Sequence, residues 1–225
     1  MKISVATLII LIALGKFSHA ETHIDEVIDI YQIKLILISH NPSNYIDYEE
    51  DFISNLHLEK KNITIDKNNC IINNDGLCIK YNSDYKLDNF NDYKKALNKD
   101  SDINVLKHIE WLQEIKEKTY IKIKAGYDYS DDIFNDKLEI QDINILGSGK
   151  ITEYEGDISI IKKKFYQINL NLNERKKMKP KGFFSSEILV SKNYKIIQKI
   201  KLNKITYIDR DNFGIIISIN KVKDI

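Results

Sequence analysis

Residues 195–219 read KIIQKIKLNKITYIDRDNFGIIISI, and this stretch decides the fold. It divides into three runs, Lys195–Leu202, Lys204–Ile208 and Phe213–Ile219, each rich in the β-branched and aromatic residues that suit a pleated surface. Asn203-Lys204 and the segment Asp209–Asn212 separate them with polar residues of turn chemistry. Connections this short join antiparallel neighbours, because a parallel pair needs a crossover of a dozen or more residues.

The same grammar extends upstream. Phe165–Leu172 alternates strictly, with Tyr166, Ile168, Leu170 and Leu172 on one face and Phe165, Gln167, Asn169 and Asn171 on the other. Gly156 opens a strand-like run, Asp157–Ile161, and residues 137–146 form another. In Tyr120–Ala125, Ile121, Ile123 and Ala125 alternate with Tyr120, Lys122 and Lys124. Glu187–Val190 reads as a further strand, and Arg175–Lys181 as a basic loop or hairpin end. Near the other terminus, Ile30–Ile38 is almost continuously apolar and predicts a strand buried on both faces.

Between these strands the pattern changes. Ser101-Asp102 has capping chemistry, and Ile103, Leu106, Ile109 and Leu112 recur at helical spacing with Trp111 beside them, so a helix is predicted from Ile103 to about Lys116. Residues 43–102 are rich in Asn, Asp, Lys and Tyr and read as a poorly ordered acidic insertion, with short helical pieces near Asp47–Leu58 and Asn91–Leu97. The predicted fold class is therefore α+β: an antiparallel β-sheet with one main packed helix and a long irregular insertion.

The first twenty residues predict export. Lys2 supplies a positive charge, Val5–Leu14 is apolar apart from Thr7, and Ser18-His19-Ala20 places small residues where a signal peptidase cuts. The apolar run is too short for the roughly 20 residues a membrane span needs. The mature chain, 21–225, is expected to form a single soluble domain in an oxidising extracytoplasmic space. There Cys70 and Cys78, the only two cysteines, flank an Asn73-Asn74-Asp75-Gly76 turn signal and are expected to form a disulfide.

Charge and motif content narrow the function. The 34 Lys+Arg and 33 Asp+Glu leave a net of +1, which disfavours a dedicated nucleic-acid binder. The charges are segregated along the chain. Residues 21–149 hold 15 basic and 25 acidic residues, a net of −10, and residues 150–225 hold 17 and 8, a net of +9. Two readings stay open: solvated strand edges whose lysines resist edge pairing, or a basic ligand-facing surface. Catalytic signatures are missing. Gly147-Ser148-Gly149 lacks the context of a nucleophile elbow, no glycine-rich phosphate loop occurs, and His23, His40, His57 and His108 stand far apart. The carboxylate groups Asp131/Asp132 and Glu153/Glu155/Asp157 do not by themselves define a glycosidase pair. No enzyme, metal or cofactor is expected.

The run from Gln198 to Ile217 carries a recognisable signature: a basic strand with Lys199 and Lys201, a turn, a strand ending Tyr207-Ile208-Asp209, then Phe213-Gly214 before an apolar strand. It resembles the C-terminal region of the CsiV family of periplasmic peptidoglycan-binding proteins. Ile30–Ile38, the His108, Trp111, Gln113 spacing and the Gly156–Leu172 hairpin fit the same family. The resemblance does not reach residues 43–102. Where the family has an arginine-rich strand this chain has Gln198, Lys199 and Lys201, and Gln167, Thr206, Arg210 and Asp211 stand where family histidines and a proline are usual. The resemblance implies a non-enzymatic periplasmic protein that binds peptidoglycan and supports envelope integrity or wall synthesis, with a wall-synthesis protein or its activator as partner. It points to Lys199, Lys201, Tyr207 and Arg210 as the ligand surface. The alternative is an accessory module whose basic half docks an acidic protein.

Overall fold

A computed structural model describes residues 29–40, 62–65, 70–72, 78–80, 90–115, 119–135, 139–140, 149–178 and 187–222. The expected signal peptide and the helical piece at 47–58 lie outside this set. Among the described residues, twelve strands form two six-stranded sheets. One sheet contains β1 (Ile30–His40), β3 (Cys70–Ile72), β4 (Cys78–Lys80), β5 (Ile103–Glu114), β11 (Ile205–Asp209) and β12 (Phe213–Lys221), in the order β11-β12-β1-β5-β3-β4. The other contains β2 (Asn62–Thr64), β6 (Tyr120–Asp128), β7 (Glu139–Ile140), β8 (Thr152–Lys162), β9 (Tyr166–Met178) and β10 (Ile188–Ile200), in the order β2-β6-β8-β9-β10-β7. The long pairings are antiparallel; β2, β3 and β7 join in parallel.

The inner faces share one core. Tyr31, Ile33, Leu35, Leu37, Trp111, Phe213, Ile215, Ile217 and Ile219 of the first sheet pack with Ile121, Ile123, Ile158, Ile160, Ile168, Leu170, Leu172, Ile196 and Ile200 of the second. Each fully buried side chain of this kind contributes about 1.5–3 kcal/mol of hydrophobic stabilisation. At one end the two sheets are also tied by a hydrogen bond between the Tyr31 and Tyr166 hydroxyls, 2.8 Å apart.

This architecture corrects the predicted α+β class. Among the described residues the helices are two short ones, α1 (Asn91–Leu97) and α2 (Ser130–Phe134), and no main packed helix is present. The segment predicted as that helix is the strand β5, lying between β1 and β3. Two features disguised it. Both faces are covered: Ile109 and Trp111 enter the shared core, while Ile103 and Val105 pack outward with Ile36, Ile38, Phe90 and Ile216. A bulge also breaks the alternation, since Leu37 pairs with Lys107 but Ile38 with Val105, leaving Leu106 as the extra residue, packed against the core. Four apolar residues from two faces thus imitated one helical stripe.

Two smaller readings change as well. Arg175 to Met178 continue β9 instead of forming a basic loop, and Arg175 is almost fully buried, donating to Glu155 Oε2 at 2.9 Å and to the Thr152 carbonyl at 2.8 Å. Glu187–Val190 and Lys195–Leu202 fall in or next to the single strand β10. The alternations at Tyr120–Ala125 and Phe165–Leu172 hold, as does the helix at Asn91–Leu97. Within the segment read as an insertion, β2 pairs with β6 and β3 with β5. The flanks of the Asn73–Gly76 turn fold back on each other as β3 and β4, with Cys70 opposite Lys80 and Cys78 opposite Ile72. The cysteine side chains, and so the expected disulfide, lie outside what is described.

Candidate functional site

The strand β11 is an edge strand whose residues alternate between the core and solvent. Ile208 points into the core, so Tyr207 and Asp209 stand on the outer face of the sheet. Tyr207 lies across Gly214 of β12: a Cβ at position 214 would fall 2.6 Å from the tyrosine ring and 2.7 Å from its hydroxyl. The glycine therefore makes room for the ring, and the ring covers the glycine backbone, an aromatic–glycine pairing that suits an edge strand. This is the physical content of the Tyr207…Phe213-Gly214 spacing.

Three polar groups converge above that ring. The Tyr207 hydroxyl donates to Asp209 Oδ1 at 2.9 Å, and His40 Nε2 stands 3.1 Å from the same oxygen and 3.2 Å from the hydroxyl. Partial burial, and the hydrogen bond to the Asp209 carboxylate, push the Tyr207 phenol up to about 12, so it stays a donor at any physiological pH. Arg210 follows in the turn and donates from its guanidinium to the Asp209 carbonyl at 2.7 Å. His40, Tyr207, Asp209, Arg210 and Asp211 together line an open cleft of about 340 Å³. Tyr207, Asp209, Arg210 and Asp211 are exposed, so this is a surface for recognition and not a sealed chamber.

The turn behind the cleft is held rigidly. The His40 amide donates to the Asn212 carbonyl at 3.0 Å, and the Arg210 amide to the Phe213 carbonyl at 2.9 Å. The Asn212 side chain reaches the other sheet and donates to Glu174 Oε2 at 3.1 Å. Glu174 is nearly buried and also accepts from the Tyr154 and Tyr194 hydroxyls. Those two rings pack edge-on against Phe213, with centroids 5.7 and 5.0 Å away. Phe213 is thus a core anchor, and the exposed residues around it are presented from a fixed frame.

The four residues expected as a ligand surface separate. Tyr207 and Arg210 come together in the cleft. Lys199 is on the outer face of the opposite sheet, paired with Gln167, and Lys201 follows the end of β10, so neither lines the cleft. His40 is the residue that sequence reasoning passed over. It arrives from the end of β1, which pairs with β12 through Ser39 and Phe213, so an imidazole reaches the turn from a strand 169 residues away in the chain. Nothing local in the sequence signals that meeting. No group of three metal-ligating side chains occurs among the described residues, and no described helix is long and apolar enough to cross a membrane.

No curated protein and no solved structure matches the sequence. A family model described as peptidoglycan-binding protein, CsiV, matches residues 3–222, and so includes the segment 43–102 that the shorter motifs left out. That match spans nearly the whole sequence, and this chain belongs to the CsiV family of peptidoglycan-binding proteins.

Proposed function

We propose that this protein is exported to the periplasm and binds peptidoglycan there without cleaving it, supporting envelope integrity beside the wall-synthesis machinery. One observation carries the reading: in a chain of this family, a half-exposed aromatic ring and an exposed guanidinium share one rigidly backed cleft. Tyr207 offers an apolar face to a sugar ring and, with its proton held by Asp209, a fixed hydroxyl acceptor at its edge. Arg210 offers a planar fork that matches the carboxylates of stem peptides, a geometry lysine does not supply. The opposite-end residues Lys199 and Lys201 add long-range attraction to an acidic polymer, which salt screens.

Co-sedimentation with purified sacculi tests the reading. Tyr207→Ala with Arg210→Ala should lower the bound fraction roughly tenfold, two contacts of about 0.5–1 kcal/mol each. Lys199→Ala with Lys201→Ala should lower it less, and only at low salt. Binding at low salt that neither pair of substitutions changes, in folded variants, would favour the alternative, an accessory module that docks an acidic protein through its basic half.

A further inference from the structure

At the end of the sandwich where β8 turns into β9, the chain runs Lys162-Lys163-Lys164-Phe165, and all four residues are exposed. The pairing of Ile200 with Tyr166 brings Lys199 and Lys201 alongside this hairpin tip. Lys204 joins them from the β10–β11 turn, which is fastened to this end by a hydrogen bond from the Asn203 amide to the Ile219 carbonyl. Six exposed lysines therefore gather at one end, with Lys162 and Lys221 sharing the Asp29 carboxylate. Within the cluster Phe165 is 52% exposed, with the Lys199 ammonium 5.0 Å and the Lys164 ammonium 5.8 Å from its ring centre. Ile197, on the same sheet face as Lys199, is 70% exposed.

We infer that this lysine-rich hairpin end is a docking surface for an anionic lipid bilayer, separate from the Tyr207–Arg210 cleft. The chemistry selects this occupant. Clustered lysines are drawn to an anionic headgroup layer additively and without fixed geometry. Their long stems let the ammonium groups stay in the headgroup region while an apolar tip sinks beneath them. Phe165 is that tip, and the ammonium groups at its face are positioned to meet phosphates as it enters. A protein partner is the weaker fit, because protein interfaces are depleted in lysine and enriched in arginine, and no arginine stands among these six positions. The cleft lies at the far end of β11 from Lys204, so the molecule can meet the wall and a membrane surface at different ends.

Vesicle co-sedimentation of the exported form tests this, with phosphatidylcholine vesicles against vesicles containing about a third phosphatidylglycerol. Binding should be confined to the anionic vesicles and should fall as salt is raised. Each lysine near the surface contributes about fivefold, the equivalent of about 1 kcal/mol. Lys163→Ala with Lys199→Ala should therefore weaken binding by more than tenfold, and Phe165→Ser by about fivefold, while Tyr207→Ala should leave it unchanged. These substitutions are at exposed positions, and an unaltered far-UV spectrum verifies folding. Equal binding to neutral vesicles, no binding to either, or indifference to the double lysine change would overturn the inference. So would retention on polyglutamate that matches the vesicles and ignores Phe165→Ser, which would assign the end to an acidic protein.

Discussion

Glycines 156 and 214 both accept close neighbours, yet they should respond very differently to a methyl group. At Gly214 the added Cβ meets the Tyr207 ring, a half-exposed side chain that can swing outward. Gly214→Ala should therefore cost on the order of 1 kcal/mol, and it should weaken sacculus binding as much as Tyr207→Ala does, because the ring leaves the cleft. At Gly156 the added Cβ would lie 2.0 Å from the main-chain oxygen of Asn171 in the neighbouring strand, and backbone inside a sheet cannot yield. Gly156→Ala should cost about 3 kcal/mol or more. Urea denaturation of the two variants checks the ranking, and equal costs would contradict it. The sequence marks Gly156 as the opener of a strand, whereas it lies inside β8 (Thr152–Lys162), and the spacing says nothing of what either glycine accommodates. Tyr207 and Arg210 were legible because their signature is contiguous. His40 was not, because an imidazole 169 residues from Asp209 becomes its neighbour only through sheet pairing.

Among the elements, β5 is the one whose identity changed, and its tryptophan reports on it. Trp111 is the only tryptophan in the chain and is buried in the shared core, with its indole donating to Gln113 Oε1 at 2.7 Å. Its emission should be blue-shifted, scarcely quenched by acrylamide, and lost in the same cooperative transition as the β-sheet circular dichroism. Gln113→Leu removes the acceptor of a buried donor and should cost about 1–3 kcal/mol. An early, separate fluorescence transition would contradict the placement of β5 between β1 and β3. Strands with one buried face, such as β6 and β9, declared themselves through alternation. A strand covered on both faces gives no such signal, and a bulge at Leu106 shifts what remains. The continuous apolar run of β1 escaped this ambiguity through its density of isoleucine and leucine, whereas β5 interleaves His108, Glu110 and Gln113 with its apolar residues.

For the molecule as a whole, folding redistributes the charge split seen along the chain. β1 from the acidic segment lies directly beside β12 from the basic one, and β6 beside β8 in the other sheet, so the two halves do not form separate bodies. The basic excess emerges at the hairpin end near Lys163 and Lys199, and the Tyr207–Arg210 cleft opens at the other end of β11. The proposed peptidoglycan site is accordingly the turn between β11 and β12, in front of Phe213 and Glu174. The most direct test is an amide chemical-shift titration of the isotope-labelled protein with soluble disaccharide-peptide fragments of peptidoglycan. The account predicts saturable shifts concentrated at residues 38–40 and 207–214, abolished by Tyr207→Ala with Arg210→Ala in a protein whose remaining spectrum is unchanged. Saturable shifts confined to other residues, or none at all, would contradict it.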